Sequence, residues 1–169
     1  ALAPQRHLTL ADLTFDSHAL FVIAEGLEKP GNLGTMLRSA DATGADGVVL
    51  ADHCTDLFNP NVVRASTGAL FTVPAVEAAS TDIMHWLRQH NIRILAATPH
   101  SNTAYTDADL TCPLAIVVGA EHEGLSDTWL EAADVAVHIP MLGRADSLNV
   151  ATATTLLLYE AVRQRRALR

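Results

Sequence analysis

The sequence is poor in the features that announce a function at once. It has two cysteines in 169 residues, Cys54 and Cys112, and they lack CxxC spacing. That argues against a disulfide framework and a zinc knuckle, and makes a reducing cytoplasm the expected setting. No apolar run approaches the ~20 residues that span a bilayer. No basic start followed by an apolar stretch marks a signal peptide. Basic charge is scarce too: eleven Lys and Arg face nineteen Asp and Glu, a net charge of −8. This argues against a wide basic footprint for nucleic acid and leaves room for a local one. GxGxxG and GK[ST] are both missing, so glycines alone assign no nucleotide cofactor.

What is present suits one folded domain. Hydrophobic residues make up 49% and charged residues 18% of the chain, enough apolar material for a core. Short apolar runs of strand length occur at Ala19–Ala24, Gly47–Ala51, Phe71–Val76, Ile92–Ala97, Leu114–Gly119 and Val135–Pro140. Helical spacing appears at Leu33–Thr43, Val62–Leu70, Thr81–His90, Ser126–Ala133 and Val150–Arg166. Buried strands alternating with helices predict an α/β fold, a mostly parallel sheet covered by helices on both faces. Residues 1–18, with Pro4, read as an N-terminal arm or short helix, and 19–169 as the domain proper. Ligands on such sheets collect at the carboxyl ends of the strands.

Three segments, each after a strand, carry the polar chemistry. In Glu25–Arg38, Pro30-Gly31-Asn32 reads as a turn and Gly34 permits a close backbone approach. The helix that follows offers N–H groups to an anion, with Arg38 further along it. In Gly119–Gly124, two glycines bracket Glu121, His122 and Glu123. These carboxylates suit a general base or a metal, but nothing elsewhere completes a ligand cluster, so no metal is expected. In His138–Val150, Pro140 ends a strand, Gly143 bends the loop, and Ser147 or Asn149 caps the last helix. Arg163, Arg165, Arg166 and Arg169 crowd the last seven residues. They suit either a helix C-terminus or a phosphate-binding tail.

In this order, NxGxxxR, GxExxGL and IPMxG…SLNVA resemble the three motifs of the SpoU (TrmH) family of RNA ribose 2′-O-methyltransferases, within the SPOUT superfamily. Arg64–Ala69 is similar to the family's RAS-x-GA stretch. The resemblance covers about residues 20–166. It implies a C-terminal trefoil knot, S-adenosylmethionine as cofactor, tRNA or rRNA as substrate, and a homodimer whose active site draws on both subunits. It also implies roles residue by residue. Asn32, Arg38, Glu121, Ser147 and Asn149 match catalytic positions. Leu95, Ala96, Gly119, Glu121, Ile139, Met141, Ser147 and Leu148 match the cofactor's surroundings. Arg38, Arg64, Arg163, Arg165 and Arg166 are the expected RNA contacts. The third motif departs from the usual SLNVSVA in reading SLNVATA. The alternative is an inactive RNA-binding or scaffold protein of the same fold. A small-molecule enzyme of the flavodoxin-like kind is a third reading, and the third motif weighs against it.

Overall fold

The computed structural model describes residues 5, 7–52, 54–121 and 123–168. Pro4, His122 and Arg169, on which parts of the expectations above rest, lie outside the described residues.

Six strands form one parallel sheet: β1 (Leu20–Glu25), β2 (Gly47–Ala51), β3 (Ala75–Ala78), β4 (Arg93–Ala97), β5 (Leu114–Val118) and β6 (Val135–Val137). Their spatial order is β3-β2-β1-β5-β4-β6. Neighbours pair in parallel, for example Val22 with both Val48 and Ile116. The helices are α1 (Pro30–Thr43), α2 (Pro60–Ser66), α3 (Ser80–Gln89), α4 (Asp127–Ala132) and α5 (Val150–Arg166). A 3₁₀ turn at Leu10–Asp12 is the only helical piece among the described residues before β1.

The period of two along each strand divides the core. Leu20, Val22 and Ala24 of β1 join Leu33, Met36 and Leu37 of α1 and Leu157 and Leu158 of α5 on one face. Phe21 and Ile23 join Ile83, Trp86 and Leu87 of α3 and Trp129 of α4 on the other. Both faces being covered is why the strands are continuously apolar rather than alternating.

Two local expectations need correction. Phe71–Val76 is not a strand. Gly68 adopts a φ of 102° and opens a 3₁₀ turn over Ala69–Phe71, leaving Phe71 73% exposed. Pro74 has no N–H for the ladder, so β3 begins only at Ala75. The other concerns α1, which starts at Pro30 rather than near Leu33, with proline at the first helical position. Pro30-Gly31-Asn32 is therefore the first helical turn, and Asn32 points out of it.

After β6 the chain is held from two sides. Thr98 N–H donates to the Val137 carbonyl at 2.9 Å. His138 then pairs with the opposite segment, its N–H to Thr103 and its carbonyl to Tyr105, both at 2.9 Å. Segment 98–105 thus flanks the end of β6 on both sides.

Candidate active site

The carboxyl ends of β4, β5 and β6 open into a cavity of about 350 Å³. Its walls are Ala97–His100, Val118–Glu121, Val137–Ile139 and the start of the final loop and helix. Gly119, Glu121, Ile139, Met141, Ser147 and Leu148, all singled out from the sequence, line it. Leu95 and Ala96 do not. Both are fully buried in β4, on opposite faces of the sheet, and the wall is built instead from the next residues, Ala97 to His100. The β4 strand runs one residue beyond the expected contact, to Ala97.

At the cavity's edge the three motifs meet in one hydrogen-bonded cluster. Asn149 is the N-cap of α5: its side-chain oxygen accepts from Ala151 N–H at 3.0 Å and Thr152 N–H at 3.4 Å. That fixes its amide nitrogen, which donates to the Asn32 side-chain oxygen at 3.1 Å and to Glu121 Oε1 at 3.5 Å. Asn32 Nδ2 donates to the same Glu121 oxygen. Lys29 Nζ binds the other oxygen, Oε2. Glu121 is thereby oriented by two amides and paired with a cation. Lys29 escaped the sequence reading; its place one residue before the helix-opening proline was the available signal.

Arg38 is elsewhere in this chain. It lies six residues beyond Asn32, about 9 Å along α1 and on another side of the helix. There it borders a second depression with Thr35, Ser39, Thr67, Thr155 and Tyr159. Ser39 and Thr155 hydroxyls meet at 2.6 Å and tie α1 to α5 below it. Arg38 is exposed and has no hydrogen-bond or ion-pair partner among the described residues.

The C-terminal arginines divide. Arg165 is not a free phosphate contact. Its guanidinium donates to the carbonyls of Leu110 at 3.1 Å, His18 at 2.6 Å, Ala19 at 3.0 Å and Cys112 at 2.6 Å. Burial pushes its pKa down from the usual arginine value. It staples α5 to the strand starts, and replacing it with alanine strands the carbonyls of Leu110, His18 and Cys112, while that of Ala19 keeps its bond from Leu114 N–H. Arg165→Ala should cost about 2–3 kcal/mol of stability in denaturant unfolding. A loss under about 0.5 kcal/mol would refute the staple, since that is what an exposed surface change costs. Arg163 is forked on Glu160 at 2.8 and 2.7 Å, and that bond holds the Glu160 carboxyl below its ordinary value.

The other cations are mostly engaged. Arg88 pairs with Asp134 at 2.7 Å, Arg93 donates to the Asp109 carbonyl at 3.3 Å, and Arg64 to Asn61 Oδ1 at 3.0 Å. Among the described residues only Arg38, Arg144 and Arg166 have no such partner.

The cavity suits a cationic small molecule with polar edges. Glu121, Glu123 and Asp146 line it. His138, in the same wall, has a buried Nδ1 with no partner among the described residues. No group of three or more His, Cys, Asp or Glu residues among those described is arranged to hold a metal ion. No described helix is long and apolar enough to cross a membrane.

Fold and site together define a parallel α/β protein with its ligand cavity at the strand ends and a motif cluster at the rim. The profile of the SpoU rRNA methylase family matches residues 19–159, and the chain belongs to that family. A 23S rRNA (uridine(2479)-2′-O)-methyltransferase of Streptomyces viridochromogenes is 42% identical over 152 residues, 86% of this chain and 53% of the relative. A 23S rRNA (guanosine(2553)-2′-O)-methyltransferase of Bacillus subtilis is 33% identical over 138 residues, 82% of this chain and 56% of that one. Among solved structures, a SpoU methyltransferase from S. viridochromogenes superposes with a TM-score of 0.93 at 38% identity, covering 97% of this chain and 66% of that one. An AdoMet-bound rRNA methyltransferase from Sinorhizobium meliloti gives 0.90 at 36%, covering 98% and 62%. The chain thus spans between about half and two thirds of these relatives' length.

Proposed function

We propose that this chain transfers a methyl group from S-adenosylmethionine to a ribose 2′-hydroxyl of ribosomal RNA, working as a homodimer. The observation that carries the reading is the convergence of Asn32, Glu121 and Asn149, one from each motif, on the rim of the strand-end cavity. Relatives named for 23S rRNA 2′-O-methylation, and one solved with AdoMet bound, support it.

The cofactor supplies an electrophilic methyl group on a sulfonium. Glu123 and Asp146, beside the Lys29-paired Glu121, give the cavity wall a negative charge that suits this cation. Gly119 lets the backbone approach closely, and Ile139, Met141 and Leu148 supply apolar wall. The displacement forms an O–C bond as the S–C bond breaks, so alignment of the two reactants is the main lever. The attacking 2′-hydroxyl would release its proton to solvent water, and the sulfonium would leave as the neutral thioether. A guanidinium is a poor base, so Arg38 acts by holding the neighbouring phosphate and stabilising the developing negative charge on oxygen. Selection of RNA follows from the hydroxyl that DNA lacks.

The dimer reading rests on Arg38's position. Arg38 faces the α1–α5 depression and not its own chain's cavity. Tyr159 and Leu156 of α5 are 51% and 37% exposed, apolar surface that a second copy would cover. Arg38 would then serve the partner's cavity. Arg64 and Arg166 join it as proposed RNA contacts.

The test is transfer of labelled methyl from S-adenosylmethionine to an unmodified 23S rRNA transcript, with 2′-O-methyl positions mapped afterwards. A single methylated ribose is the expected result. Cofactor binding without transfer to any ribosomal or transfer RNA would overturn the enzymatic reading.

A further inference from the structure

The net charge of −8 poses a problem for an RNA substrate, because little of the surface attracts a phosphodiester. Intramolecular acceptors already occupy most of the described cations. Of the three left free, Arg166 ends α5, nine residues and about 14 Å along the helix beyond Leu157, the last α5 residue to line the cavity. Arg38 faces the α1–α5 depression. Arg144 differs from both. It sits in a run of exposed residues, 142–149, between Met141 and Asp146, which both line the cavity. Chain geometry keeps its Cα within about 7 Å of that of Asp146.

We propose that Arg144 is a substrate-binding residue that grips an RNA phosphate beside the target ribose at the mouth of the cofactor cavity. This rests on the RNA methyltransferase reading above. The site's own electrostatics call for such a group. Glu123 and Asp146, which have no cationic partner among the described residues as Glu121 has in Lys29, make the cavity wall attractive to a cationic cofactor and repulsive to a phosphodiester. A cation at the rim offsets that repulsion where the strand must come closest. Arg144 can do so because it has no carboxylate to leave: Asp146, two residues on, is not paired with it. Gly143 before it and the absence of any hydrogen bond from its side chain leave the guanidinium free to follow a phosphate. The sequence reading passed over Arg144 because the motif assigns its neighbours, Gly143 and Ser147, and leaves the intervening positions open.

The full chain is titrated with an unmodified 23S rRNA transcript across a salt series, in parallel with Arg144→Ala and Arg144→Lys. Loss of one phosphate contact should lower the slope of log K against log salt by roughly 0.7–0.9. Arg144→Ala should also raise KM for RNA about tenfold, leaving kcat at saturating RNA and S-adenosylmethionine affinity unchanged. Lysine should restore the slope, because a phosphate contact needs the charge more than the fork. An unchanged slope and KM in Arg144→Ala, with wild-type transfer intact, would overturn this proposal and spare the functional reading. Wild-type protein that neither binds nor methylates the transcript would overturn both.

Discussion

Arg38→Ala should abolish methyl transfer while S-adenosylmethionine still binds. A group that stabilises developing charge on oxygen is typically worth ~10²–10⁴ in rate, and kcat should fall in that range. Cofactor affinity should stay within about twofold, a change worth about 0.4 kcal/mol, because Arg38 does not line the cavity. Stability should not move either: the side chain is exposed and holds no partner among the described residues. A variant with wild-type turnover would remove Arg38 from the mechanism, and the first-motif assignment with it. The same residue also tests the dimer. Arg38→Ala mixed with a chain that cannot bind cofactor should recover activity. Random pairing makes half the dimers mixed, and each mixed dimer has one complete site, so about a quarter of wild-type activity is expected. No recovery after subunit exchange would mean that Arg38 acts within its own chain or not at all.

That complementation matters because the sequence and the single chain say different things about Arg38. The spacing Asn32-x-Gly34-x-x-x-Arg38 invites placing both polar residues in one site. Helix geometry forbids it: Asn32 reaches Glu121, and Arg38 emerges from another side of α1. A linear motif records which residues are needed and not which subunit uses them. Elsewhere the sequence was more readable. Apolar runs located the strands within a few residues because both sheet faces are covered, so each strand is apolar throughout. Glycine and proline located the loops that shape the cavity. What stayed hidden depended on distant partners. Lys29 becomes part of the site only through Glu121, which is 92 residues away. Arg165 looked like a tail cation until four carbonyls from 18–19 and 110–112 closed around it. Charge counting cannot separate Arg165, which is engaged, from Arg144, which is free.

Gly119→Ala should weaken cofactor binding more than any change to a polar side chain. Gly119 follows β5 directly, and the loop folds back so that Gly124 N–H donates to the Ala120 carbonyl at 2.9 Å. A Cβ on Gly119 would fall inside the van der Waals shells of the Gly124 carbonyl and the Leu125 nitrogen. Those are backbone atoms and cannot rotate away, so the loop itself must shift. The Gly124 end resists, because its φ of 72° already commits the turn. Forcing extra volume into such a place costs about 3 kcal/mol. If that falls on the loop, affinity for S-adenosylmethionine drops about 100-fold, at 1.4 kcal/mol per factor of ten. Glu121 shifts with the loop and releases Lys29, Asn32 and Asn149, so any residual transfer should fall further than binding. Gly31→Ala is the control, since a Cβ there meets nothing within 4 Å. It lies inside α1, and alanine should leave binding intact while raising stability slightly. Calorimetric titration of both variants, with melting curves to verify folding, decides the matter. Wild-type affinity in a folded Gly119→Ala protein would mean that the cofactor does not use this loop, and the cavity at the ends of β4 and β5 would lose its assignment.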